Sequence, residues 1–339
     1  VLLKNDGLLP LGNDVRHIVV TGPMADAPYD QLGTWSLDGD KSCTVTPLAA
    51  MREMLPENIR LDYIPVLDYP RDENITDFKR LRKTAKNADV VIAFVGEEQM
   101  MSGEAHSLSS LHLQGHQTEL LREIAESGTP LVTVVMAGRP LVMDEATSLS
   151  SSLLYMWHPG TMGGPAIVNL LWGRACPSAK LPVTFPRNEG QIPMYYNHKH
   201  TSHIAKGTEG DLSRVPREKP QSVMGHTSSY LDVPPTPQFP FGFGLTYTKF
   251  EIGSPQLEST EVNLDGILKV SVELGNVGKM QGTEVLQFYV SKKSASVTRP
   301  IKELKGFVRV TLDAGKKCVV EYEIPVKDLA FCRKDMTWG

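Results

Sequence analysis

Up to about residue 180 the chain alternates short, continuously apolar runs with segments of helical period, and this alternation restricts its fold more than any other feature. "VVIAFVG" (90–96) and "PLVTVVMAG" (130–138) are apolar at nearly every position and close on glycine. A strand with one wet face alternates apolar and polar residues; an unbroken run suits a strand covered on both faces, as in a parallel sheet. "HIVVTG" (17–22) and "SSLLYMW" (151–157) share this character. Between them, "TDFKRLRKTAKNAD" (76–89) sets Phe78, Leu81 and Ala85 on one helical face with cations opposite. "QTELLREIAESG" (117–128) carries the stripe Leu120, Leu121, Ile124 and Ala125 and stops at Ser127-Gly128. "TMGGPAIVNLLWG" (161–173) predicts a helix that starts after a Gly-Gly-Pro turn and ends at Gly173. This order predicts an α/β domain over residues 1–190, an αβα sandwich on a mostly parallel sheet.

Residues 191–248 are rich in proline and aromatics, as in "QIPMYYNHKH" and "VPPTPQFPFGFGLTYT". Proline disfavours helix interiors and central strands, so this stretch is expected to be an ordered connector, with a polar loop across 200–228. From Lys249 onward the period changes to two. "ILKVSVEL" (267–274), "EVLQFYVS" (284–291), "LKGFVRVTL" (304–312) and "CVVEYEIPV" (318–326) alternate between Gly- and Asn-containing turns. Short strands at this spacing predict an all-β sandwich over 249–339.

The 339 residues suffice for two such domains, and a formal net charge of −4 offers no basic surface for nucleic acid. No apolar run approaches the roughly 20 residues of a membrane span. The opening "VLLKNDGLLPLG" has neither an initiator Met nor a signal peptide, and the closing "FCRKDMTWG" has neither a helix cap nor a final strand. Both ends are expected to be cut from a longer chain. Cys43, Cys176, Cys318 and Cys332 lack CxxC spacing and a His at zinc-ligand distance, which predicts incidental thiols. A Cys318–Cys332 disulfide is the alternative, which spacing alone does not establish.

In a doubly wound sheet, ligands gather outside the carboxyl ends of the strands. The loop after 90–96, "EEQMMSGEAHSLSS", offers Glu97, Glu98 and Glu104 with His106. A carboxylic acid there can act as a general acid when its surroundings suit, although solvated loop glutamates are common. The loop after 17–22 holds Trp35, either a core plug or a platform for a sugar ring's apolar face. His158, in "WHPG" after 151–157, is a ligand contact or a satisfied structural histidine. The first strand is not followed by GxGxxG, and neither a P-loop nor a GxSxG elbow occurs, which disfavours dinucleotide, nucleotide and serine-hydrolase sites.

"FVGEEQMMSGEAHS", "GRPLV", "WHPGTMGGPAIVNLLWG", "PSAKLPVTFPR", "QIPMYYNHK" and "FPFGFGLTYTKF" occur in an order that resembles family 3 glycoside hydrolases of the periplasmic β-glucosidase type. The resemblance covers essentially the whole chain and is most specific from 157 to 197. It implies that the second domain is fibronectin type III-like. It also implies an upstream (β/α)₈-type barrel carrying the nucleophilic aspartate and most sugar contacts, and a last sandwich strand beyond residue 339. Glu104 matches the family's acid/base glutamate, and Trp35 and Glu97 match positions near substrate. Relatives carry an Arg and then an Asp shortly after that glutamate, where this chain has Leu108 and Ser110, and an Arg near Ser229.

The implied parent is a retaining exo-β-glycosidase, a β-glucosidase or β-xylosidase, in the periplasm or secreted, needing no cofactor or metal. Its partners are a β-linked oligosaccharide or glucoside and the barrel of the same protein, and the piece alone is expected to be inactive. A second reading makes the chain a carbohydrate-binding or scaffolding module with a degenerate site, its β-sandwich supporting the first domain and a homodimer.

Overall fold

A computed structural model describes residues 1–199, 212, 215–220 and 230–339. Ser229 and most of the polar stretch 200–228 lie outside these residues. Strands β1 (Leu2–Asn5), β2 (His17–Thr21), β3 (Arg60–Ile64), β4 (Val90–Gly96), β5 (Leu131–Met136) and β6 (Ser152–Tyr155) form a six-stranded sheet in the order β1-β6-β5-β4-β2-β3. Strands β2 to β6 pair in parallel, whereas β1 runs antiparallel to β6, with Leu2 opposite Leu154 and Asn5 opposite Ser152.

All of β4 is buried, and its side chains divide between two cores. Val91, Ala93 and Val95 point to a layer with Phe78, Leu81, Leu120, Leu121 and Ile124. Those residues belong to α3 (Phe78–Ala85) and α4 (Gln117–Ala125), which line that face. Val90, Ile92 and Phe94 point to the opposite layer, with Leu48, Met51, Ile167 and Val168 of α2 (Pro47–Met54) and α6 (Gly163–Leu171). The αβα sandwich thus follows from unbroken apolar strands that need cover on both sides. Short helices α1 (Pro28–Leu32) and α5 (Asp144–Leu149) follow β2 and β5.

Helix α6 departs from expectation at its start. The Gly-Gly-Pro triplet forms its first turn rather than a turn before it. A Cβ on Gly164 would lie 2.3 Å from the Thr46 carbonyl oxygen, so the glycine lets α6 press against the backbone at the start of α2. Edge strands β1 and β3 were absent from the periodicity. Strand β1 is only four residues long, and β3 is half-exposed, so neither has a long apolar run.

The second unit is all-β. Strands β7 (Phe250–Ile252), β9 (Ile267–Asn276) and β12 (Lys317–Pro325) form one sheet with β8 (Gln256–Leu257) paired to β9. The β10 (Gly282–Val290) and β11 (Glu303–Leu312) hairpin forms the other sheet. Val270, Val272, Leu274, Leu286, Phe288 and Val320 fill the space between them, from alternate positions as a period of two requires. The connector ties the units together. Leu181 N donates to Phe243 O at 2.7 Å and Leu245 N to Leu2 O at 2.9 Å. Tyr196 stacks on Phe241 with ring centroids 4.3 Å apart, and Lys180 pairs with Glu284 at 2.7 Å. All four cysteines are free, so Cys318 and Cys332 are not bridged. Among the described residues no helix is long and apolar enough to cross a membrane.

Candidate functional site

In this strand order the chain leaves β2 for the edge strand β3 and returns to β4 on the other side of β2. The chain therefore runs to opposite sides after β2 and after β4, and the carboxyl edge at such a switch point is where these sheets hold ligands. Trp35 and Glu104 lie on these two loops.

The loops are stapled to each other. The Thr34 hydroxyl lies against the carbonyl oxygens of Gln99 and Ser102, 2.6 Å from the latter, and 3.3 Å from Ser102 Oγ. Asp30 Oδ1 accepts from Gln99 N at 3.1 Å. Burial raises the pKa of Asp30, the Gln99 amide opposes this, and the charge of Glu98 adds to the rise. A Cβ on Gly103 would lie 2.2 Å from Thr34 Cγ2, so only glycine allows this approach.

These contacts hold out two exposed side chains. Trp35 is 67% exposed, so it is no core plug, and Glu104 is exposed on the tip of its loop. Among the described residues the Glu104 carboxylate has no ion-pair partner within 4.0 Å. Leu37 and Met100 on the same two loops are also exposed. Backbone strain occurs in both loops and in the one after β6. Leu37 (φ 33°), Ala105 (φ 60°) and Trp157 (φ 55°) adopt left-handed conformations that cost L-residues about 1–3 kcal/mol each.

Glu97 takes a different place from that expected of a substrate contact. It is 1% exposed and lies beneath the loop, with Arg139 Nη2 at 2.7 Å and Arg139 Nε at 3.1 and 3.2 Å from its carboxylate oxygens. A buried carboxylate needs such pairing because desolvation of a lone charge is prohibitive. Arg139 Nη1 also reaches Leu108 O at 3.4 Å, and the Tyr155 hydroxyl donates to Arg139 O. Burial, and then the Glu97 charge, raise the pKa of Tyr155 far above its ordinary value. Glu98 forms a two-point pair with Arg71 at 2.5 and 3.0 Å, which occupies both its oxygens.

Further supports were not singled out from the sequence. Gln117, fully buried, donates to Gly96 O at 2.9 Å and accepts from Gly96 N at 2.7 Å, fixing the end of β4 where the loop begins. Glu189 accepts from Leu111 N at 3.0 Å; that amide, with the Ser110 hydroxyl, lowers its pKa. Arg139 stood within the quoted "GRPLV", but nothing in its spacing assigned it a partner. His158 is partly buried, with both ring nitrogens closed to solvent and, among the described residues, without a hydrogen bond. It is therefore not the satisfied structural histidine considered above.

The chain matches the glycosyl hydrolase family 3 C-terminal domain over residues 1–247 and a fibronectin type III-like domain over 284–339. It is 36% identical to a periplasmic β-glucosidase of Salmonella typhimurium, over 100% of this chain and 45% of that protein. A β-xylosidase of Formosa agariphila is 33% identical over 99% of this chain and 44% of its own length. The β-glucosidase of Listeria innocua, solved in complex with isofagomine, superimposes with a TM-score of 0.88 at 33% identity, covering 100% of this chain and 45% of that one. The chain thus spans less than half the length of these relatives.

Proposed function

The chain belongs to glycosyl hydrolase family 3, and from that premise we propose that it is the C-terminal portion of a retaining exo-β-glycosidase in which Glu104 is the general acid/base. The observation that carries this reading is the exposed Glu104 carboxylate at the carboxyl edge of the sheet, with exposed Trp35 on the β2 loop that is stapled to its own. Retaining glycosidases use two carboxyl groups about 5–5.5 Å apart, one attacking the anomeric carbon and one protonating the leaving oxygen. Glu104 supplies the second. It gives its proton to the glycosidic oxygen as that bond breaks, then takes a proton from the water that cleaves the glycosyl-enzyme bond.

Trp35 offers a flat apolar face to a sugar ring, whose C–H groups pack on indole. Glu97 acts by holding Arg139 under the loop, a supporting task in place of direct sugar contact. The nucleophile comes from the segment that the longer relatives carry ahead of this region, so the site is shared between domains. The name of the Salmonella typhimurium relative supports a periplasmic or secreted location, and the names of the relatives support β-glucosides or β-xylosides as substrates.

The test is Glu104→Gln in the longer protein that carries the preceding domain. Hydrolysis of alkyl glycosides, whose leaving groups need protonation, should fall about 10²–10⁴-fold, while activated aryl glycosides slow far less in the first step. Unchanged rates on both substrates would remove Glu104 from the mechanism and leave a carbohydrate-binding module as the better reading.

A further inference from the structure

His158 lies on the loop after β6 and is partly buried, yet both its ring nitrogens are closed to solvent and lack a hydrogen bond, whereas most buried polar atoms find a partner. The ring occupies room left by two glycines of other loops. A Cβ on Gly33 would sit 2.6 Å from His158 Cβ and Cγ. A Cβ on Gly138 would sit 2.5 Å from His158 Nε2 and 2.1 Å from Ser102 Oγ. Nε2 and the Ser102 hydroxyl thus both crowd the place where a side chain at Gly138 would begin, which sets them within about 4.6 Å of each other.

Ser102 stands two residues before Glu104. Its hydroxyl is 3.3 Å from Thr34 Oγ1, and the Thr34 proton is directed at the neighbouring carbonyls. The Ser102 proton is therefore held only by a long contact and can turn to another acceptor. Burial lowers the pKa of His158, and the neighbouring Asp30 backbone opposes this. A neutral imidazole has one nitrogen with a lone pair to offer.

We propose that His158 is a positioning residue for Glu104, its Nε2 accepting the hydrogen bond that Ser102 Oγ donates when the loop bearing Glu104 closes on substrate. In this structure the imidazole lacks that bond; making it would satisfy Nε2 and fix the backbone that carries the acid. The inference rests on the reading of Glu104 as acid/base. It goes beyond that reading by assigning the loop a latch.

The experiment is a double-mutant cycle on Ser102→Ala and His158→Phe in the longer enzyme, with His158→Gln as the conservative variant. Each single change should lower kcat for an alkyl glycoside about tenfold with KM within about twofold, and the activated aryl glycoside should respond much less. The double variant should be no slower than the slower single one, because one bond is lost either way. His158→Gln, whose amide oxygen can accept, should regain part of the rate. Multiplying single effects, or equal losses on both substrates, would overturn the latch. Should His158→Phe fail to fold, Ser102→Ala still decides: an unchanged alkyl-to-aryl rate ratio overturns the proposal. Glu104→Gln, measured alongside, separates the two ideas. If it leaves leaving-group dependence intact, the acid role fails, whereas the Ser102–His158 coupling in kcat/KM still tests the contact.

Discussion

Arg139 holds the buried Glu97 carboxylate at 2.7 to 3.2 Å and, through its remaining nitrogen, reaches the Leu108 carbonyl at 3.4 Å. One side chain thus joins the end of β4 to the far limb of the loop that carries Glu104. Arg139→Met would leave a buried carboxylate uncompensated, so urea unfolding should show a loss of about 3–5 kcal/mol. Replacing both partners with apolar residues should recover most of that loss. A single variant as stable as the parent would mean that the pair does not support the loop.

Trp35→Ala should affect binding more than chemistry. Losing one stacked ring face should raise KM about tenfold, equivalent to about 1.4 kcal/mol, with kcat little changed. Steady-state kinetics in the longer enzyme give both values, and an unchanged KM would exclude Trp35 from the sugar site.

Gln117→Leu keeps the shape of the side chain and removes its polar atoms. Both Gly96 N and Gly96 O lose their side-chain partner in a buried position, at a cost of about 1–3 kcal/mol for each group left unsatisfied. Thermal melting should report the loss, and hydrogen exchange at the Gly96 amide should accelerate.

Burial lowers the pKa of His158, so the unfolded chain binds this proton more readily than the folded one. Stability from this group is complete above the ordinary histidine pKa of about 6.5. It is lost as pH falls through 6.5 towards the lower folded-state value, below which the loss is constant. Melting temperature measured against pH should therefore decline on the acid side in the parent and be flatter in His158→Phe. Parallel slopes would show that His158 does not titrate in this way.

Periodicity found what repeats. The unbroken run at 90–96 gave β4 and its double cover, and the period of two gave β9 to β12 within a few residues. Strand β1 was missed because four residues carry too little pattern, and the start of α6 was misplaced because Gly163, Gly164 and Pro165 look like a turn. Their place in a helix depends on the Thr46 backbone pressed against Gly164, a contact between distant segments. The site divides in the same way. Glu104 and Trp35 are candidates only through a resemblance, since one exposed carboxylate in a loop has no local signature. That Glu97 is buried against Arg139 could not be read from the sequence, because burial depends on what the rest of the chain lays over a residue. Thr34, Arg139 and Gln117 act on partners 21 to 68 residues away, and spacing within one segment cannot show such links.

Strand β1 runs against its neighbours, and this sets the direction from which the chain reaches the sheet. Val1 lies beside Tyr155, its backbone nitrogen 2.8 Å from the Tyr155 carbonyl, at the same edge as the loops bearing Trp35 and Glu104. In a longer chain, residues leading into β1 would approach from that edge. Under the proposed shared site, a catalytic partner tethered there would meet these loops at an effective concentration in about the millimolar range for a short linker. Supplied as two separate polypeptides, the halves would have to find each other by affinity alone, and activity would then depend on protein concentration.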